Sequence, residues 1–486
     1  MNRLDPLFDP RGIIVAGASS HPGKFGFVTL HNILRCGYEG AVFPVSLEGG
    51  DLLGRPVLSS LDDVPDGAAD LVFVCTPQAA NVALLEACAR KGVRAAFVAT
   101  AGYGEAGAAG ERAQAELVAT AARLGMLLAG PNGQGIVSTR SSLCAQIVAP
   151  YPPAGPIGIA SQSGNLVSSF LNLSIQSGVG VSRAVSVGNA AALTVADYLD
   201  YLAADDATAV SLVYLESVGD GRAFYDAARR TTARQPLVVL QGGTTVGGRR
   251  AAASHTGSLA SDERIFAGVC RQAGITQVTT VEAAFEAAAT FATAPLPAGP
   301  NVVVVTTVGG WGVLTADAIT RSSLTLLDLP DDLRAALDQR LPPRWSRNNP
   351  IDLAGSETRD TVPEILDVVA RHPAVHAVVF LGIGIQSNEA ALMRSGKFFP
   401  DHGLERMVEF HEHQDARYAQ AAHEISGATG KPILVASELA VTDPTNAGPR
   451  AVRESGRYCA WSATRAVNAL DHLWRYTRYR SRIDAR

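Results

Sequence analysis

Gly12-Ile13-Ile14-Val15-Ala16, running at once into Gly17-Ala18-Ser19-Ser20-His21-Pro22-Gly23-Lys24-Phe25-Gly26, decides the fold class. Five apolar residues without alternation read as a strand covered on both faces, the habit of a parallel sheet. The glycine- and serine-rich turn behind them opens a helix. Its backbone N–H groups and the positive end of the helix dipole therefore converge on one point, where an anion is stabilised. Lys24 adds a cation at the helix start, which suits a ligand with several phosphates.

The same strand–turn–helix order repeats along the chain. Apolar runs recur at 40–45, 71–75, 95–100 and 126–129, then at 157–160, 184–187, 210–215 and 236–241, and finally at 302–306, 376–382 and 432–436. Two proline-rich stretches, Ala149-Pro150-Tyr151-Pro152-Pro153-Ala154-Gly155-Pro156 and Ala294-Pro295-Leu296-Pro297-Ala298-Gly299-Pro300, separate these groups and read as linkers. The expectation is an α/β chain of three doubly wound segments, 1–148, 149–297 and 298–486. The turns Ser161-Gln162-Ser163-Gly164 and Thr306-Thr307-Val308-Gly309-Gly310, each behind a strand that follows a linker, give the second and third segments a shared layout.

Composition narrows the function. The 486 residues carry 41 Lys+Arg against 46 Asp+Glu, a formal charge of −5, which leaves no basic excess to neutralise a nucleic-acid backbone. An apolar content of 47% with 18% charged residues excludes a disordered chain. The six cysteines form no CxxC pair, so neither a zinc ribbon nor a disulfide framework is expected. The chain start has no signal-peptide core and no apolar run reaches a membrane span, so a soluble cytoplasmic protein is expected. His411 and His413 sit two apart in a polar stretch with His402 and His423 nearby; that spacing points two helical side chains apart, so no metal site is expected there, only a solvated polar helix.

The first turn does not match GxGxxG. The second strand ends Phe43-Pro44-Val45-Ser46, and the nearest carboxylate, Glu48, lies beyond it, so the acidic residue that holds a nicotinamide cofactor's ribose is missing. Two more loops fall at the carboxyl edge of the same predicted sheet: Thr100-Ala101-Gly102-Tyr103-Gly104-Glu105 and Gly130-Pro131-Asn132-Gly133-Gln134-Gly135. Three loops converging there describe a cleft for an extended ligand.

In the second segment, His255 stands in a long run of small residues, 242–260, ahead of Ser261-Asp262-Glu263, which reads as a capped helix start. A neutral imidazole nitrogen with small neighbours is a competent nucleophile towards phosphorus. Its second ring nitrogen needs an acceptor, and Glu216, at the end of the predicted strand 210–215, can supply one. Ser161-Gln162-Ser163-Gly164 opens a helix that can stabilise the charge of a phosphorylated ring.

Gly17-Ala18-Ser19, Gly130-Pro131-Asn132, Ser161-Gln162-Ser163-Gly164, Glu216 and Ser254-His255-Thr256-Gly257 occur in the order seen in the NDP-forming acyl-CoA synthetases. That family includes the succinyl-CoA synthetase α subunit and the ADP-forming acetyl-CoA synthetases. Asn349-Pro350-Ile351-Asp352-Leu353 and the closing 461–467 stretch resemble the extra domain of the acetyl-CoA synthetase branch. The resemblance implies a CoA-binding Rossmann-like domain followed by two flavodoxin-like domains. It places CoA on Gly17, Ala18, Ser19, Ser20, Lys24, Val45, Thr100 and Asn132. It makes His255 a phosphohistidine oriented by Glu216, with Ser161, Gln162, Ser163, Gly164, Gly257 and Ser258 around the phosphoryl group or the substrate carboxylate. It further implies a small carboxylic acid substrate, ATP/ADP and Mg2+ handled by a separate ATP-grasp β-type subunit, since no ATP-grasp segment is read before Arg486, and an α2β2-like heterotetramer. The sequence departs from the family where GPNC is usual: Gly133 replaces the cysteine. Two other readings stay open, a non-catalytic CoA sensor of the same fold and an NAD-dependent dehydrogenase.

Overall fold

The structure, a computed structural model, describes residues 2–148, 150–245, 247, 248, 250, 263–353 and 360–485. In the first sheet, β1 (Gly12–Ala16), β2 (Ala41–Val45), β5 (Leu71–Val74), β6 (Ala95–Val98) and β7 (Leu127–Ala129) run parallel in the order β2-β1-β5-β6-β7. A small antiparallel hairpin, β3 (Gly50–Leu52) with β4 (Arg55–Val57), lies outside it. The strand order reverses at β1, so the loops after β1 and β5 diverge and leave a crevice at their carboxyl ends. Every residue of β1, β5 and β6 is buried, as unbroken apolar runs require.

The second sheet contains β8 (Gly135–Ser138), β9 (Leu143–Gln146), β10 (Ala154–Ser161), β11 (Val181–Ser186), β12 (Val210–Leu215), β13 (Leu237–Gln241) and β14 (Thr276–Val278) in the order β14-β13-β12-β10-β11-β8-β9. Its switch point is β10, flanked by β11 and β12. The third sheet is built from β15 (Asn301–Thr306), β16 (Thr325–Leu326), β17 (Ile351–Asp352), β18 (Ala377–Leu381), β19 (Ile433–Ala436) and β20 (Cys459–Ala460), with β15 between β16 and β18. Helices connect the parallel strands, and the expected α/β class of doubly wound domains is borne out.

The chain divides into two compact units: 1–176 with 180–288, and 177–179 with 289–486. The first two sheets therefore share one unit. The reason is visible at the hairpin of β8 and β9, which precedes residue 148 yet pairs antiparallel through β8 onto β11, covering what would be an open edge. One core cluster runs from Leu7, Phe8 and Ile13 to Tyr198, Leu199 and Leu215, so the apolar interior is continuous through residue 148. Arg183, 1% exposed, ties the junction: its guanidinium donates to Ser138 Oγ at 2.5 Å and Asp9 at 2.8 Å. The second unit holds the third sheet and a 26-residue helix, Leu404–Thr429. That helix is not the solvated polar helix expected from sequence. His411, Gln414 and Asp415 are buried, and the Asp415 carboxylate accepts from Gly384 N at 2.9 Å and Ser387 N at 2.7 Å, capping the helix Ile385–Ser395. Among the described residues no helix is long and apolar enough to cross a membrane.

Candidate functional site

The turn after β1 is set by two glycines and one carbonyl. Gly17 and Ala18 both donate their N–H to the Val45 carbonyl, at 3.0 and 3.1 Å, which folds the chain back over the end of β2. Gly17 has a φ of +83°, and a Cβ there would stand 2.9 Å from the Cys75 carbonyl carbon. Gly26, the second residue of the helix Phe25–Arg35, approaches so closely that its Cβ would lie 2.0 Å from the Gly17 oxygen. Helix, turn and strand are thus locked backbone to backbone, the role glycines play in dinucleotide folds. His21 N bonds Ser19 Oγ at 3.2 Å, Gly23 N bonds the His21 ring at 3.1 Å, and among the described residues the helix start at Lys24 has no side-chain cap hydrogen bond. Ser20 and Lys24 are exposed beside those amides. Gly17, Ala18, Ser19, Ser20, Lys24 and Val45 are therefore one turn.

Thr100 and Asn132 belong to a second cluster on the same edge. Thr100 Oγ1 donates to the Thr76 carbonyl at 2.7 Å, and the Thr100 carbonyl accepts from Asn132 N at 3.1 Å. Asn132 is left-handed (φ +62°). A clamp that the sequence did not reveal holds this loop. Asn189 N and Ala191 N donate to the carbonyls of Pro131 and Gly130, while Asn189 Nδ2 donates to Glu105 at 2.5 Å and Gln114 at 2.9 Å. Gly188 permits the approach, since a Cβ there would stand 2.3 Å from the Pro131 oxygen. Spacing in the sequence gives no hint of it, because Asn189 and Glu105 lie 84 positions apart.

The same loop reaches the second sheet. Gln134 Nε2 donates to Asn165 at 2.9 Å, and a Cβ on Gly164 would be 2.2 Å from Gln134 Cγ. Gly133, at the position of the family cysteine, is equally confined: a Cβ would meet Phe97 at 2.6 Å and the Ser186 carbonyl at 2.7 Å. Glycine here reflects lack of room.

Ser161 ends β10 fully buried, its Oγ donating to the Ser163 carbonyl at 2.7 Å and accepting from Ser163 N at 3.2 Å. This ring points the chain into the helix Gly164–Ser177. Gln162 spans to the end of β12: its Oε1 accepts from Glu216 N at 2.6 Å and Ser217 N at 3.0 Å, and its Nε2 donates to the Ser217 carbonyl at 3.0 Å. The amide thus fixes the backbone that presents Glu216. Tyr214 OH donates to Glu216 Oε1 at 3.3 Å; burial, aided by that carboxylate, pushes the phenol up to about 12 and keeps it a donor. Gly242, where the chain leaves β13, bonds back to the Leu215 carbonyl at 2.8 Å. Ser161, Gln162, Ser163, Gly164 and Glu216 are brought together. His255, Gly257, Ser258 and the expected helix cap at Ser261 and Asp262 lie outside the described residues; the helix itself is described from Glu263.

In the second unit, His411 Nδ1 lies 3.3 Å from Glu389, whereas His413 Nδ1 contacts the Glu409 carbonyl at 2.6 Å. Among the described residues no three His, Cys, Asp or Glu side chains form a metal-binding group.

Comparison with known proteins agrees with this arrangement. Residues 11–139 match the CoA binding domain family, 154–291 the succinyl-CoA ligase like flavodoxin domain, and 302–385 the ligase-CoA domain. The acetate–CoA ligase [ADP-forming] I subunit alpha of Pyrococcus furiosus is 36% identical over 383 residues, covering 78% of this chain and 82% of that protein. The 4-hydroxybutyrate–CoA ligase [ADP-forming] of Nitrosopumilus maritimus is 30% identical over 77% of this chain and 54% of its own length. Among solved structures, the dinucleotide forming acetyl-coenzyme A synthetase 1 of Ca. Korarchaeum cryptofilum, in complex with phosphate and ADP, superposes with a TM-score of 0.84 at 29% identity, covering 100% of this chain and 99% of that one. The chain belongs to the ADP-forming acyl-CoA ligase family.

Proposed function

We propose that this chain is the CoA-binding, phosphohistidine-carrying subunit of an ADP-forming carboxylic acid–CoA ligase. One observation carries most of the weight: the loop Gly130–Gly135 is hydrogen-bonded or packed at one end against Thr100 and at the other against Gly164 and Asn165. A ligand laid along the turns after β1 and β6 would have its far end beside Ser161–Gly164 and Glu216. The Gly17–Lys24 turn, with its uncapped helix start and exposed lysine, suits the phosphates of CoA. The functional segments are 1–148, 149–297 and 298–486, a division that the three family matches support.

In the proposed cycle a ring nitrogen of His255 takes the terminal phosphoryl group of ATP and ADP leaves. Glu216, held by Gln162 and Tyr214, accepts the hydrogen bond of the other ring nitrogen and fixes the tautomer. The ring then gives the phosphoryl group to a carboxylate oxygen of the acid. The acyl phosphate that results is attacked by the CoA thiol, and phosphate departs in place of a poor oxide leaving group. Backbone amides at the start of the helix Gly164–Ser177, with Ser163, Gly257 and Ser258, stabilise the anion at each transfer. ATP and Mg2+ enter through an ATP-grasp β-type partner, in a cytoplasmic heterotetramer. The α-subunit naming of relatives such as that of P. furiosus supports a separate partner.

The test is to purify the chain with its co-purifying partner and supply CoA, ATP and a panel of acids that includes acetate, 4-hydroxybutyrate and ferulate. The proposal expects thioester with one ADP and one phosphate per turnover. AMP and pyrophosphate as products, CoA binding without turnover of any acid, or tight NADH binding without CoA binding would each contradict it.

A further inference from the structure

All six cysteines are free, and two of them meet where the first sheet's helix packs on the second sheet. Cys36 ends the helix Phe25–Arg35, and Cys144 lies in β9. Asn32 on the same helix donates its Nδ2 to the Gln146 carbonyl in β9 at 2.8 Å. From Asn32 to Cys36 is four residues of helix, about 6 Å along its axis; from Gln146 to Cys144 is two residues of strand, about 6.8 Å. Cys36 and Cys144 thus lie at similar distances along helix and strand from the Asn32–Gln146 bond. Tyr151 OH, bonded to Asn32 Oδ1 at 2.6 Å, fixes the same face.

The two sulfurs interact directly. The Cys144 thiol, then the Arg35 charge, hold Cys36 below the ordinary thiol range against the opposing effect of burial, while Cys144 is pushed up. The other four thiols are each driven up to about 12, burial being the leading cause. Cys36 is half-buried and Cys144 buried, the arrangement of an accessible attacking thiol with a resolving partner behind it.

We propose that Cys36 and Cys144 form a reversible disulfide on exposure to a peroxide, locking the helix Phe25–Arg35 to β9. The Cys36 thiolate attacks one peroxide oxygen, the O–O bond breaks, and water leaves after protonation. Cys144 then loses its proton and attacks the sulfenic sulfur of Cys36; the S–S bond forms, the S–O bond breaks and a second water leaves. Two thiols are oxidised, one peroxide is reduced, and any dithiol reverses the change. The bond closes a loop of about a hundred residues, which restricts opening of this junction. The helix it grips carries the Gly17–Lys24 turn at its other end, and only that consequence rests on the proposed function.

Treating the full-length chain with hydrogen peroxide should lower its intact mass by about 2 Da, two hydrogens, and yield a dithiothreitol-sensitive peptide joining Cys36 to Cys144. Cys36→Ser and Cys144→Ser should each abolish that peptide. Amides of the Phe25–Arg35 helix should exchange about tenfold more slowly in the oxidised than in the reduced chain. Full alkylation of both thiols after peroxide, or a linkage to any other cysteine, would overturn the pairing; the linked peptide with unchanged exchange would overturn the lock. None of these outcomes depends on turnover, so failure here is separable from failure of the ligase assignment.

Discussion

The turns that end β10 and β15 are built alike and surrounded differently. In the second sheet Ser161 Oγ closes a ring on Ser163; in the third Thr306 Oγ1 closes the same ring on Val308, donating to its carbonyl and accepting from its N–H at 2.9 Å each. Gln162 N bonds the Tyr214 carbonyl and Thr307 N the Leu381 carbonyl. Both turns lead straight into a helix, Gly164–Ser177 and Gly309–Arg321. The neighbouring strands then part company. Ser161 pairs with Tyr214 and Thr306 with Leu381, so two residues further on the second sheet presents Glu216 and the third presents Ile383. Gln162 is long enough to fix the backbone of residues 216 and 217, whereas Thr307 is short and packs against Gly382, whose Cβ would lie 1.9 Å from its Oγ1. The backbone device is shared supersecondary structure. The phosphoryl chemistry proposed here needs the residue placed beside it.

The largest effect should come from the residue that separates the two turns. Glu216→Gln keeps the acceptor for Tyr214 but loses the charge that orients the imidazole, and should lower kcat of the reconstituted ligase by about 10²-fold or more with little change in stability. A change in KM alone would return Glu216 to the status of Ile383. Next is Gly133→Cys, which installs the family residue where the Ser186 carbonyl and Phe97 leave no space. It should cost about 1–3 kcal/mol in denaturant unfolding; a neutral result would show that this loop yields easily. Ser161→Ala and Thr306→Val remove the same ring and should each cost about 1–2 kcal/mol. Clearly unequal costs would break the equivalence of the two turns.

A smaller effect distinguishes the third-sheet region by pH. Burial holds His472 down to about 4, opposed by the charge of Asp471. The unfolded imidazole titrates near 6.5, so the native state forgoes a proton that the unfolded chain takes up. This stability is whole above about pH 6.5 and is lost as pH falls through 4. His472→Gln should flatten that slope by about 1 kcal/mol, read from unfolding curves at pH 7 and about pH 5.7.

Much of the fold was legible because each parallel strand is its own apolar run: β1 and β12 occupy the residues their sequences announce, Gly12–Ala16 and Val210–Leu215. The hairpin β8–β9 was not, since its partner β11 lies beyond the proline linker and antiparallel edge pairing leaves no local mark. At the site, the turns at Gly17 and Ser161 follow from glycine, serine and helix-start chemistry. The Asn189 clamp and the Gln162–Glu216 bridge do not, because each joins loops more than fifty positions apart through side-chain amides that look ordinary in sequence.

The central claim is a phosphoryl group carried on His255. Incubating the chain with acyl-CoA and radiolabelled inorganic phosphate runs the chemistry backwards without ATP: phosphate displaces CoA, and the acyl phosphate then phosphorylates the imidazole. The account predicts label that is acid-labile, stable to base, located on the peptide containing His255 and absent from His255→Asn. Label retained in that variant, or thioester synthesis by its reconstituted complex at the unsubstituted rate, would contradict it.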